Sequence, residues 1–143
     1  MSKLNGKRAL VTSGGQGIGK AICHELLEQG CQVVVHYHSS EDGARGLLDT
    51  ARSLGTAAFM VKGDLTKEED IIRVAAEAAA HLGGIAILVN NTGNLVGRRT
   101  LPETDDSFRH QVVSVNVTSA LKMTREVLPH LEKAGQASVI NLA

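Results

Sequence analysis

The chain is predicted to fold as an α/β protein in which helices cover both faces of a parallel β-sheet, and residues 1–143 are expected to form a single domain. Short segments rich in Val, Ile, Leu and Ala alternate with longer segments of helical length, which is typical of strand–helix–strand units. The short segments do not alternate apolar with polar residues, as expected for strands buried on both faces. Glycines follow the long segments at the positions where helices commonly end.

Five strands and four helices are predicted in alternation. The strands are 8–12, 32–37, 57–62, 85–90 and 137–142, and the helices are 17–29, 41–54, 67–82 and 104–134. Thr66 and Glu69 have the spacing of a capping box, so the Thr66 side chain is expected to cap the third helix. The last helix would be about 45 Å long, with a bend at Pro129 and apolar side chains on more than one face. The face that does not meet the sheet predicts a homo-oligomer formed through this helix.

The composition excludes several classes of protein. Lys and Arg number 15, and Asp and Glu also number 15, so the basic field that attracts nucleic acid or anionic lipid is absent. No apolar run reaches the roughly 18–20 residues that span a bilayer, and the first residues lack the apolar core of a signal peptide. The chain is therefore expected to be cytoplasmic, without membrane or nucleic-acid partners, and to keep Cys23 and Cys31 as reduced, buried thiols.

A glycine-rich loop connects the first strand to the first helix. It reads Thr12-Ser13-Gly14-Gly15-Gln16-Gly17-Ile18-Gly19. Glycines let backbone N–H groups approach a pyrophosphate, and the positive end of the helix dipole stabilises the bound charge. A tight turn without a ligand would also use glycines, so the loop alone leaves both interpretations open.

Three further motifs follow the later elements: Asp64 after the third strand, Asn90-Asn91-Thr92-Gly93 after the fourth, and Asn116 in the fourth helix. Together with the glycine loop they resemble the short-chain dehydrogenase/reductase family over essentially the whole chain. The family pattern Thr-Gly-x-x-x-Gly-x-Gly is matched at Thr12, Gly17, Ile18 and Gly19. The family's Asn-Asn-Ala-Gly is matched by the tetrapeptide after the fourth strand.

The resemblance implies a Rossmann-like doubly wound sheet in the strand order 3-2-1-4-5, without the C-terminal strands of the family fold. It also implies a dinucleotide site in which Asp64 and Leu65 flank the adenine, while Asn91 and Gly93 line the ribose and nicotinamide side. Asn116 would be the retained catalytic residue, holding a water of the proton relay. The alternatives are a simple turn carboxylate at Asp64 and an ordinary interior asparagine at position 116. The implied cofactor-binding residues are Thr12, Ser13, Gly15, Gln16, Gly17, Ile18, Gly19, Tyr37, His38, Ser39, Asp64, Leu65, Asn91, Thr92 and Gly93.

Two residues depart from the family pattern. Ser13 stands where the first glycine is expected, and its Cβ would crowd a left-handed backbone if the family conformation is kept, unless Gly14 absorbs the bend. Thr92 stands where the family has alanine, and it adds a hydroxyl and a methyl group to the wall of the pocket. Both changes are expected to alter the dinucleotide site.

The end of the second strand favours NADP over NAD as the cofactor. A site that prefers NAD carries an acidic residue there for the ribose diol, whereas this chain has Tyr37, followed by His38 and Ser39, which could donate to a 2′-phosphate. NAD stays the alternative, because no Arg or Lys lies in this segment. His36 and His38 share a strand face as half of a possible metal site, but no third ligand is suggested by spacing, so no metal is predicted.

The family's catalytic Ser and Tyr-x-x-x-Lys motif have no counterpart in the sequence, in which Tyr37 is the one tyrosine. The chain is therefore expected to be the cofactor-binding part of an oxidoreductase that acts on an alcohol or carbonyl substrate, inactive unless the missing half is supplied. The alternative is a noncatalytic dinucleotide-binding or interaction module. In either case the fifth strand would be an exposed apolar edge.

Overall fold

The computed structural model describes residues 2–143 and shows five parallel strands in one Rossmann-like sheet. The strand order is β3-β2-β1-β4-β5, which confirms the order that the resemblance implies. The strands are β1 (Arg8–Val11), β2 (Gln32–Tyr37), β3 (Ala58–Lys62), β4 (Ile87–Asn90) and β5 (Ser138–Asn141). Each lies within two residues of its predicted bounds.

Helices follow the first four strands. They are α1 (Gly17–Glu28), α2 (Glu41–Leu54), α3 (Glu68–Leu82), α4 (Asp106–Val113) and α5 (Ser119–Ala134), and a short 3₁₀ turn covers Leu101–Glu103. The predicted helix 104–134 is thus divided, because a π-helical segment, Ser114–Thr118, joins α4 to α5. Pro129 lies inside α5 and does not end it.

Two apolar layers hold the helices to the sheet. On one face, Leu10 and Val34 of the central strands pack with the buried side chains of α3 and α5. On the other face, Val11 and Val35 pack with those of α1 and α2, including Leu27. Burial of each such side chain contributes about 1.5–3 kcal/mol, so the sheet is the stable platform on which the loops at its carboxyl edge are built.

The start of α3 corrects the predicted capping box. The Thr66 hydroxyl donates to Oδ1 of Asp64 at 2.7 Å instead of capping the helix, which begins at Glu68 without a side-chain cap. The Asp64 carboxylate accepts from both the hydroxyl and the amide of Thr66, which places Thr66 in an Asp-centred turn before the helix. Asp70 takes part in the same turn, since its carboxylate accepts from the amide of Asp64 at 2.7 Å.

Both apolar surfaces expected from the sequence are exposed. Val139 and Ile140 of β5 are 40% and 45% exposed. Val113, Val117 and Leu121, spaced one helical turn apart, are 40%, 51% and 68% exposed. No helix among residues 2–143 is long and apolar enough to cross a membrane.

The two cysteines are free and buried, as expected. Burial raises the pKa of the Cys23 thiol to about 12 and also raises the pKa of Cys31. Both therefore stay protonated at neutral pH and act as small apolar side chains of the core.

Candidate functional site

An open pocket of about 600 Å³ lies at the carboxyl edge of the sheet, where β1, β2, β3 and β4 end. Ligands of doubly wound proteins bind at this edge, near the point where the strand order reverses. Eight of the predicted cofactor residues line the pocket: Ser13, Gln16, His38, Ser39, Asp64, Leu65, Thr92 and Gly93. The topology therefore brings together residues that are up to 80 positions apart in the chain.

A larger groove of about 780 Å³ lies at the opposite edge of the sheet, beside the start of β1 and the ends of α3 and α5. Its basic lining residues are Lys7, Arg8, His130 and Lys133. None of the predicted site residues lies there, so the smaller pocket is the candidate functional site.

Gly17 forms the turn into α1. Its φ of +53° is left-handed, and no atom lies within 4 Å of the position that a Cβ would occupy. The first amides of a helix have no intrahelical acceptor and carry partial positive charge. The space beside Gly17 is therefore open to an anion, as the glycine-loop prediction requires.

Gly19 has a different role, because it allows close packing between the loop and β4. A Cβ there would lie 2.3 Å from Nδ2 of Asn91 and 2.4 Å from the carbonyl oxygen of Ser13. Gly19 and Thr12 are buried, so they shape the pocket from behind. Ile18 is 67% exposed and does not line the pocket.

Thr12 joins the ends of the two central strands. Its hydroxyl oxygen accepts from the amides of Asn91 at 2.9 Å and Thr92 at 3.1 Å. The side chain is 1% exposed, so these bonds are shielded from water. Thr12 thereby fixes the segment that follows β4 against the segment that follows β1.

Ser13 adopts the left-handed conformation that its family position requires, with a φ of +50°. Its amide donates to Nδ1 of His36 at 3.0 Å, and its carbonyl accepts from Nδ2 of Asn91 at 3.1 Å. Its hydroxyl is 2.8 Å from that of Thr92. The left-handed conformation is at Ser13 itself and not at Gly14. It costs about 1–2 kcal/mol for a residue with a Cβ.

His36 connects three strands beneath the pocket. It accepts from Ser13 through Nδ1, so the hydrogen is on Nε2, which donates to the carbonyl of Gly63 at 2.9 Å. The side chain is 1% exposed, and burial lowers the pKa of His36 to about 4. The imidazole is neutral at pH 7 and uses both nitrogens within the protein, which leaves neither for a metal. Residues 2–143 contain no group of three or more His, Cys, Asp or Glu side chains placed to hold a metal ion.

Asp64 lies in the pocket wall and in a turn at the same time. Its carboxylate accepts from the hydroxyl and the amide of Thr66, and the bond from that hydroxyl is the main reason that the pKa of Asp64 is lowered. The side chain is ionised at neutral pH. Leu65 is 5% exposed and supplies an apolar surface beside it.

The side chain of Tyr37 does not reach the pocket. It is 6% exposed and lies in the core with Val33 and Val35, on the face of the sheet covered by α1 and α2. Successive side chains of a strand point to opposite faces, so Tyr37 faces the core, and the exposed residues His38 and Ser39 that follow it line the pocket.

Asn116 holds the loop that follows Gly93. Its amide nitrogen donates to the carbonyl of Asn94 at 2.8 Å, and its oxygen accepts from the amide of Asn94 at 3.0 Å. A second donation, to the carbonyl of Val112 at 2.9 Å, ties it to the preceding helical turn. Asn116 lies in the π-helical segment, a feature often found at functional sites. The water of a proton relay stays a prediction.

Sequence reasoning missed the helical side of the pocket. Asn94, Val96, His110, Gln111, Ser114 and Val115 also line it. The place of His110 in the pocket depends on how α4 crosses the sheet edge, which the sequence does not show. The helical spacing of His110 and Ser114 is the one signal in the sequence that places them on a common face.

The comparisons with known proteins agree with this geometry. The model of the family described as short chain dehydrogenase matches residues 7–143. The chain is 35% identical over 133 residues to the hydroxynaphthalene reductase-like protein Arp2 of Metarhizium robertsii, a match that covers 93% of this chain and 49% of that protein. It is 36% identical over 134 residues to the short chain dehydrogenase mdpC of Emericella nidulans, covering 94% of this chain and 50% of mdpC. The chain thus spans about half the length of the curated relatives it matches.

Solved structures show the same fold. The NADH-dependent reductase A1-R′ in complex with NAD has a TM-score of 0.89 and 34% identity, over 96% of this chain and 59% of that one. A short chain dehydrogenase of Burkholderia cenocepacia in complex with NADP has a TM-score of 0.85 and 30% identity, over 91% of this chain and 53% of that one.

The burial of His36 predicts a pH dependence of stability. Unfolded chains take up the proton near the ordinary histidine pKa of about 6.5, whereas the folded chain takes it up near 4. Unfolding is therefore coupled to proton uptake between these values. The free energy of unfolding should fall as pH falls from 6.5 to 4, by up to roughly 3 kcal/mol from this residue. Urea unfolding between pH 4.5 and 7 measures the slope.

His36→Gln should reduce this slope, and His24→Gln, at an exposed helix position, should keep it. Equal slopes in the wild type and His36→Gln would contradict the assignment.

Proposed function

The chain belongs to the short-chain dehydrogenase family, and on that premise we propose that the pocket binds a nicotinamide dinucleotide. The observation that carries the proposal is the turn into α1, where the left-handed Gly17 leaves open space beside the first amides of the helix. A pyrophosphate fits this space in charge and in hydrogen bonding, because the amides donate and the helix dipole is positive there.

The rest of the pocket suits the other parts of the dinucleotide. Asp64 and Leu65 offer an acceptor and an apolar surface to the adenine, and Gln16, His38 and Ser39 surround the adjoining ribose. Gly93, whose neighbour Asn94 is held by Asn116, would lie toward the nicotinamide. When bound, the nicotinamide supplies or accepts a hydride. The residues of this chain would bind and orient it.

We propose NADP as the preferred cofactor. His38 and Ser39 are exposed at the pocket, and neither carries a negative charge that would repel a 2′-phosphate. Relatives in the family are described with either NAD or NADP, so membership of the family does not decide the preference. Asp64 is a carboxylate of the pocket lining, and its Oδ1 accepts from the amide and the hydroxyl of Thr66.

For the complete protein we propose oxidoreductase activity on an alcohol or carbonyl substrate, which the reductase names of the relatives support. The proton donor of such a reaction must face the pocket. In the described part of the chain the one tyrosine, Tyr37, is in the core, and the family's Ser and Tyr-x-x-x-Lys motif have no counterpart in the sequence, so this chain is not expected to supply the family's proton donor. A noncatalytic dinucleotide-binding module is the alternative.

Gly17→Ala should abolish measurable dinucleotide binding, since a methyl group would enter the space proposed for the pyrophosphate. Gly55→Ala is a matched control, because Gly55 also has a left-handed φ, +72°, and no atom within 4 Å of the Cβ position, but lies at the end of α2. Both variants should lose similar stability, about 1 kcal/mol. Calorimetric titration with NADP and NAD measures the affinity. Equal affinity of Gly17→Ala and wild type would mean that the loop is only a turn.

His38→Asp should weaken NADP binding by about tenfold relative to NAD binding, through repulsion of the 2′-phosphate. Ser53→Asp adds the same negative charge at an exposed position of α2 and should leave the ratio unchanged. The ratio of the two dissociation constants is the measurement. If this ratio is the same in His38→Asp as in the wild type, the ribose end of the cofactor lies elsewhere.

The 143-residue chain should show no cofactor-dependent turnover of alcohols or carbonyl compounds. Proton transfer by a positioned side chain is worth roughly 10²–10⁴ in rate, and the Tyr-x-x-x-Lys motif that supplies it in the family has no counterpart in the sequence. Absorbance of the reduced nicotinamide at saturating cofactor is the assay. Turnover that persists through repurification and is lost in Gly17→Ala would contradict the prediction.

We also propose self-association through the exposed face formed by Val113, Val117 and Leu121. Apolar side chains at this spacing form one stripe, which is a typical helix–helix contact surface. Val117→Glu should shift the sedimentation coefficient toward the monomer, whereas Leu101→Glu, at an 87% exposed residue of the 3₁₀ turn, should not. A wild-type chain that stays monomeric at high micromolar concentration would exclude this surface as an interface.

A further inference from the structure

We propose that Ser13 and Thr92 form a positioning pair for the cofactor, a hydroxyl clasp whose hydrogen bond holds the glycine loop to the segment after β4. The proposal rests on the proposed dinucleotide site. The two hydroxyl oxygens are 2.8 Å apart, although the residues are 79 positions apart in the sequence. Either hydroxyl can donate, so the pair satisfies one donor and one acceptor without a charged group.

The clasp accounts for a serine at a position that favours glycine. Ser13 has a φ of +50°, and within residues 2–143 Val96 is the one other non-glycine residue with positive φ. A side chain disfavours this conformation. Without a compensating contact, the backbone at Ser13 would tend to relax away from the left-handed region and carry the start of the glycine loop with it.

Of the contacts that Ser13 makes, the one between its hydroxyl and that of Thr92 is the contact that requires a serine side chain. Ser13 bonds to the side chains of His36 and Asn91 through its own backbone amide and carbonyl, so these two bonds do not require a serine at position 13. The Oγ–Oγ1 contact depends on both side chains. The two departures from the family pattern therefore meet at one hydrogen bond and act together.

The clasp lies at the pocket and not in the core. Ser13 and Thr92 both line the pocket and are partly buried, in contrast to the fully enclosed Thr12 behind them. When one hydroxyl is removed, water can form a hydrogen bond with the hydroxyl that remains. Loss of the bond therefore leaves no buried polar group without a hydrogen-bond partner. The expected consequence is a shift of the two pocket walls relative to each other, with a small effect on overall stability.

This placement separates a positioning role from a structural one. Thr12 also joins the same two segments, through bonds to the amides of Asn91 and Thr92. Those bonds persist when the clasp is broken and keep the strands in register. The clasp then sets the finer position of the left-handed turn, and through it the direction of the α1 amides proposed to bind the pyrophosphate.

The test is a double-mutant cycle on the 143-residue chain, with NADP affinity by calorimetry and thermal unfolding without ligand as readouts. Thr92→Val keeps the shape and removes the hydroxyl, and Ser13→Ala removes the other hydroxyl. Each should weaken NADP binding about tenfold, the upper value for one neutral hydrogen bond. The double variant should bind no worse than either single variant, because both remove the same bond.

Thr92→Ser keeps the hydroxyl and should bind NADP within about twofold of wild type, while all variants unfold at nearly the wild-type temperature. The proposal is overturned if the two single effects multiply in the double variant. It is equally overturned if Thr92→Val binds as well as wild type, or if Thr92→Ser binds as poorly as Thr92→Val.

A wild-type chain that binds no dinucleotide would refute the proposed function. In that case, amide hydrogen exchange in the ligand-free chain tests whether the clasp holds the turn at Ser13. The Ser13 amide donates a hydrogen bond to His36. Thr92→Val should speed hydrogen exchange at this amide, and Thr92→Ser should not. Unchanged exchange in Thr92→Val would refute the clasp independently.

Discussion

The left-handed turn at Ser13 is the constraint on which the candidate site depends. It redirects the chain where β1 ends, at the start of the glycine loop that leads into α1. Each neighbouring strand contributes to holding it: His36 of β2 accepts its amide hydrogen, Asn91 after β4 donates to its carbonyl, and Gly63 after β3 accepts from His36. Groups from β2 and from the segment after β4 thus bond directly to Ser13, and Gly63 after β3 supports the turn through His36.

The protonation state of His36 is part of this arrangement. A protonated imidazole has two donors and no acceptor, so it could not accept the amide hydrogen of Ser13. Burial lowers the pKa of His36 to about 4 and keeps the acceptor available at neutral pH. The burial of His36, which is 1% exposed, therefore keeps its hydrogen bond from the amide of Ser13 available at neutral pH.

Most of the fold could be read from the sequence, and part of the site could not. Aliphatic runs and helix-ending glycines located the strands and helices, and the strand order came from the family resemblance. Tyr37 was assigned to the pocket because of its place in the chain, whereas strand parity puts its side chain with Val35 in the core. Thr66 was assigned to a cap, but its hydroxyl donates to the Asp64 carboxylate instead. The roles of His36 and the Ser13–Thr92 contact depend on distances between strand ends, which no local pattern encodes.

The central claim is that the turn at Ser13 and the start of α1 form a dinucleotide site. Nuclear magnetic resonance of the isotopically labelled chain, titrated with NADP, tests it directly because it reports each backbone amide. The account predicts saturable shifts at residues 13–19, 64–66 and 92–94, and none at residues 83–86 beside the basic groove at the opposite edge. Shifts centred on residues 83–86, or none at residues 13–19 at millimolar NADP, would contradict it.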